Sequence, residues 1–148
     1  MGCAHRFDIR TFRYSDGRRL EVSLLEDPSF SILCQPNDDR VLMARMDQAY
    51  WDAVMFASGA TVRFEVPLCN ISVDVAFPKG TTVAEFVSRL YAFYHSKPAE
   101  AEVSTAKRKL EFIYKDLATY ADLMDGLVTL SGLEHGPNGV LVLSLSFY

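Results

Sequence analysis

Apolar and polar residues alternate near both ends of the chain and fall into helical spacing in the middle, which predicts strands outside and helices inside. Phe7 to Glu26 reads as two strands around Ser15-Asp16-Gly17, because Asp-Gly supplies the positive φ of a tight turn and Leu20, Val22 and Leu24 alternate beyond it. A short strand follows over Ser29 to Gln35, with Phe30, Ile32 and Cys34 on one face, before the polar break Pro36-Asn37-Asp38-Asp39. Met46, Tyr50, Val54 and Ala57 predict a short helix over Met46 to Ala57, with Asp47 near its start. Thr61 to Val66 and Asn70 to Phe77 then alternate as neighbouring antiparallel strands.

Thr82-Val83-Ala84-Glu85 is a capping box, in which the Thr hydroxyl and the Glu carboxylate each satisfy an orphan backbone N–H. It opens a helix whose apolar residues Val83, Phe86, Val87, Leu90, Tyr91, Phe93 and Tyr94 span about 160° of the wheel, which predicts deep burial. After Lys97-Pro98 a second helix is expected from about Ala99 to Met124, with Val103, Ala106, Leu110, Ile113, Tyr114, Leu117, Ala121 and Met124 inward and a break near Thr119. Leu127 to Leu133 and Val140 to Phe147 close the chain as strands around a Gly-rich turn. The sum is one α+β domain over residues 1–148, an antiparallel sheet of six to seven strands packed with two main helices and one short helix.

The strand, helix and turn order carries a resemblance. Thr82-Val83-x-x-Phe86-Val87-x-x-Leu90-Tyr91-x-Phe93-Tyr94, Lys97-Pro98, and Leu130-Ser131-Gly132-Leu133 followed by Val140-Leu141-Val142-Leu143 are its residues. Over residues 50–148 the pattern resembles an uncharacterised small α+β domain family found in large amoeba-infecting DNA viruses and in fungi. The resemblance implies an origin in a large DNA virus, with a virion-associated or host-interaction role. The family has no assigned active site, so no site residue is carried over.

Composition narrows the chemistry. A formal net charge of −4 gives no global field for nucleic acid or an anionic membrane, which leaves only a local patch. Arg6, Arg10, Arg13, Arg18 and Arg19, with Lys107-Arg108-Lys109, are the residues for such a patch, although charge runs are usually solvated faces. Cys3, Cys34 and Cys69 are an odd, widely spaced set, which predicts neither disulfides nor zinc and favours a reducing compartment. The beginning lacks an apolar leader and no run of about 18 apolar residues could span a bilayer, so a cytoplasmic location is expected, with a virion as the variant that the resemblance adds. Met1-Gly2-Cys3 looks like an acylation site, but Arg6 stands where Ser or Thr is required, which argues against acylation at Gly2 or Cys3.

Nucleophilic catalysis would need Cys34 or Cys69 activated by His95 or His135, and no local signature supports either pairing. His5, His95 and His135 share no metal-ligand spacing and read as solvated, and neither cofactor nor metal is expected. The reading is therefore a non-catalytic protein-interaction or structural protein, self-associating, with a cysteine-nucleophile hydrolase or an accessory nucleic-acid binder as the alternatives. Its expected interface comes from the second helix. Measured from Val103, Phe112 falls at about 180° and Leu123 at about 200°, away from the inner face. Arg108 and Lys115 would form a polar rim around Phe112, as at a homodimer contact.

Overall fold

A computed structural model describes residues 6–35, 37, 39–109 and 117–147. The strands are β1 (Phe7–Asp8), β2 (Arg13–Tyr14), β3 (Arg19–Ser23), β4 (Ile32–Cys34), β5 (Arg40–Leu42), β6 (Val54–Phe56), β7 (Ala60–Val66), β8 (Ile71–Phe77), β9 (Thr81–Thr82), β10 (Leu127–His135) and β11 (Leu141–Phe147). The helices are α1 (Ala49–Asp52), α2 (Val83–Tyr94) and α3 (Glu100–Lys109), supplemented by 3-10 turns. The fold is α+β, as its sequence pattern implies.

The main sheet runs β1-β2-β3-β10-β11-β7-β8, with β4 pairing β3 and β5 pairing β4. It is mixed rather than wholly antiparallel: β11 lies parallel to β7, with Leu141 beside Val62 and Val142 beside Arg63. The helices intervene between those two strands in the chain, so no tight turn forces them to run in opposite directions. β6 and β9 form a separate two-stranded ribbon beneath the start of α2.

Hairpins follow the alternation closely. β7 and β8 pair without a break from Ala60 with Phe77 to Val66 with Ile71, so Val62, Phe64 and Val66 share the helix side with Val75, Val73 and Ile71. The Asp16-Gly17 turn is present, with Gly17 at φ 91°. Between β1 and β2 the chain passes over β10: Leu133 donates its N–H to the Ile9 carbonyl at 2.7 Å. That crossing is why Gly132 is glycine, since a Cβ there would stand 2.1 Å from the Arg10 carbonyl oxygen.

The capping box of α2 forms in full. Glu85 N–H donates to Thr82 Oγ1 at 3.2 Å and Thr82 N–H donates to Glu85 Oε1 at 3.1 Å. Val83, Phe86, Val87, Leu90 and Tyr94 are buried against the sheet, and Phe86 meets Phe56, Phe64 and Phe77 with ring centroids 5.3 to 6.4 Å apart. Thr82→Ala is expected to cost about 1 kcal/mol through the loss of one acceptor for an orphan N–H. A urea unfolding curve with its midpoint lowered at constant slope would show it, and an unchanged midpoint would count against the cap.

Three segments differ from their predicted form. The helix expected over Met46 to Ala57 is a single turn at Ala49–Asp52, and Val54–Phe56 is extended because it pairs with Thr81 and Thr82. In β4 the fully buried residue is Leu33, whereas Phe30 sits on a preceding 3-10 turn, 56% exposed. The second long helix is described as α3 to Lys109, and residues 120–124 form a 3-10 turn. There the Asp122 carboxylate accepts N–H bonds from Ala118 and Thr119 at 3.0 Å each, starting a new turn.

Candidate interaction surface

Of the four residues expected to form an interface on the second helix, the structure moves one, Leu123, off the surface. Leu123 is fully buried, because the chain restarts at Thr119 and its side chain turns inward with Ala121 and Met124. A wheel carried through from Val103 has no meaning beyond that restart. Arg108 is exposed on α3, its Nε 3.4 Å from the Ser104 carbonyl. Phe112 and Lys115 lie outside the described residues, as do Gly2, Cys3 and His5.

The candidate catalytic groups have other occupations. Cys69 is buried with its thiol 3.6 Å from the Val66 carbonyl, and burial, reinforced by the Glu102 charge, pushes that thiol up, opposite to the direction a nucleophile needs. Cys34 Sγ takes a contact from Arg19 Nη2 at 3.5 Å. His95 is not simply solvated: its Nε2 lies 2.9 Å from the Leu24 carbonyl and its ring rests 4.0 Å from that of Tyr91, tying the end of α2 to the loop after β3. His135 ends β10, exposed and paired with Leu141. Among the described residues no three His, Cys, Asp or Glu side chains group to hold a metal, and no helix is long and apolar enough to cross a membrane.

Arg13, Arg18 and Arg19 of the first hairpin are drawn into contacts with neighbouring groups. Arg18 pairs with Asp16 at 3.1 Å, donates through Nε to Gln35 Oε1 at 2.5 Å and bonds the Tyr50 hydroxyl. The Tyr50 hydroxyl donates to Asp16 Oδ2 at 2.6 Å, and Tyr14 donates to the Tyr50 carbonyl at 2.8 Å. Burial holds both phenols above their ordinary range, so they stay neutral hydrogen-bond donors. The cluster braces the hairpin against α1. Arg19 and Arg40 flank Glu21.

What the fold does present is an open groove of about 460 Å³ over β3, β4 and β5. Leu25, Phe30, Ile32 and Leu42 supply its apolar surface, and Glu21, Glu26 and Arg40 are among its polar lining. Phe30 reaches it from a turn held at several points. Asp27 Oδ1 accepts from Ser29 N–H at 2.9 Å, the Asp27 carbonyl accepts from Phe30 N–H at 2.9 Å, and Ser31, itself buried, bonds Pro28 and Met43. The bonds from Ser29 hold the Asp27 carboxyl below the usual carboxylate range. Sequence reading missed this surface because it placed Phe30 in a strand with Ile32. The available signal was Asp27-Pro28-Ser29, an Asp cap with Pro in the first turn.

No family model, no curated protein and no solved structure matches this chain.

Proposed function

We propose that this chain is a non-catalytic protein-interaction or structural domain that binds itself or another protein, in the setting that the resemblance implies, a large DNA virus and its host cell. The observation that carries the reading is Phe30: a large ring 56% exposed, on a turn whose backbone and cap are hydrogen-bonded in place, beside a groove lined by apolar and charged side chains. Scattered exposed apolar residues are ordinary on a protein surface. One whose backbone is hydrogen-bonded in place beside Leu25, Ile32 and Leu42 gives up little backbone entropy when an apolar side chain docks there.

The test places a photo-reactive phenylalanine analogue at position 30 and, as control, at exposed Lys79. Discrete protein adducts from position 30, absent from position 79 and lost when Leu42→Asp is added, are the expected result. Equal labelling from both positions would remove the reading.

A further inference from the structure

The two ends of the sheet are built differently. At one end the strands are very short, two residues in β1 and three in β5, which opens with Arg40. Short strands and a charge at the edge are the usual protections against unwanted pairing. At the other end lies β8, seven residues long and in unbroken register with β7, which is its one strand neighbour among the described residues. Within 71–77 there is neither proline nor lysine, and no bulge interrupts the ladder. Its one charge, Asp74, is held by Arg63 through bonds of 2.8 and 3.3 Å, and that pairing keeps the carboxyl below the usual range. Val73, opposite fully buried Phe64 and on the helix side of the sheet, is nevertheless 40% exposed. Among the described residues, the apolar layer of the domain therefore runs out to an edge that no further strand covers.

We propose that β8 pairs antiparallel with β8 of a second copy, about a two-fold axis at Val73, so that two sheets join into one. The choice of register is physical. An axis at Asp74 would set two carboxylates opposite each other, which is destabilising. An axis at Val75 would set Pro78, which has no N–H to give, opposite Ser72. The axis at Val73 places Val73 beside its own copy, Val75 beside Ile71, and the Ser72 hydroxyl where it can donate to Asp74. Helix-side positions meet apolar partners and outer-face positions meet polar ones. Because Arg63 already neutralises Asp74, the two edges approach without net like-charge repulsion. Isologous pairing of this kind also closes after two copies, leaving no second long edge to propagate a fibre.

This names a partner within the interaction reading, and its failure is separable from that of the groove. Sedimentation velocity on the whole chain across a hundredfold concentration range is expected to show a dimer for the wild type. Val73→Lys should give a folded monomer, judged by an unchanged far-ultraviolet spectrum. Val73→Cys in a Cys3→Ser background should link into covalent dimers on mild oxidation, since directly opposed Cβ atoms lie about 4.5–5.5 Å apart; the buried Cys34 and Cys69 do not compete. The linking variant also decides the matter if Val73→Lys fails to fold. A wild type that stays monomeric at the highest concentration, a dimer that survives Val73→Lys, or Val73→Cys that does not link would each overturn the proposal. Adducts from position 30 in a monomeric wild type would leave the groove standing without the seam.

Discussion

Replacing Phe64 with alanine is expected to remove about 3–5 kcal/mol of stability, the usual loss for emptying a large aromatic site in a core. Phe64 is fully buried on β7, with the rings of Phe77, Phe86, Phe93 and Tyr94 centred 5.3 to 6.4 Å away. It is thus where the sheet and α2 meet. Tyr94 also donates its hydroxyl to the neighbouring Glu65 carbonyl at 2.9 Å, so the helix cannot slide inward to fill the space without losing that bond. Domains of this size are commonly stable by about 5–15 kcal/mol, so the loss is a large fraction of the total. The measurement is urea denaturation beside Phe147→Ala, a control at a residue 70% exposed that should change stability by less than about 1 kcal/mol. A loss below about 1 kcal/mol at Phe64 would mean that α2 does not pack on this face.

The second large effect is expected at Gly132. Its backbone requires no unusual dihedral angle, so the constraint is space: a Cβ would lie 2.1 Å from the Arg10 carbonyl oxygen and 2.9 Å from its carbon. Neither atom is the end of a flexible side chain. Gly132→Val should therefore lift the segment before β2 off β10, breaking the Leu133 N–H bond to Ile9 and uncovering Phe12, which is fully buried. The expected loss is about 3 kcal/mol or more, at the upper end for overpacked sites. Hydrogen exchange reads the cause directly, because the Leu133 amide should lose protection in a variant that is still folded. Retained protection at Leu133 together with wild-type stability would show that the crossing is not tight.

Elements that depend on local pattern were legible in the sequence. The β7–β8 hairpin and the Thr82 cap need only neighbours within a few residues, and alternation or a hydroxyl and a carboxylate at fixed spacing are enough to specify them. What lies between distant segments was not legible. Alternation in β11 says which residues face the helices, but nothing in it says that β7 will be its neighbour or that the two will run parallel. β5, only Arg40–Leu42, is too short to show any period and exists because β4 offers it an edge. Leu123 was misplaced for a related reason. A helical wheel assumes one uninterrupted helix, and Thr119 with Asp122 marks the point where that assumption ends, so Leu123 fell on the wrong side. Phe30 was misread because the strand was started at Ser29, inside the turn that Asp27 and Pro28 open, whose chemistry overrides alternation.

The position of β11 bears on how the domain is made. Its residues are later in the chain than every other strand, yet in the sheet it lies between β10 and β7, as the piece that joins β7–β8 to the rest. During synthesis the β7–β8 hairpin and α2 emerge well before 141–147 exist, and until then β7 carries a second unpaired edge along Val62 and Arg63. The two parts of the sheet can join only once residues 141–147 are available, a step that places a strand between β10 and β7 rather than at a margin. Contacts so far apart in sequence make such a step slow. The nascent half-sheet, with β7 and β8 both open, is the species most exposed to mispairing and to capture by chaperones.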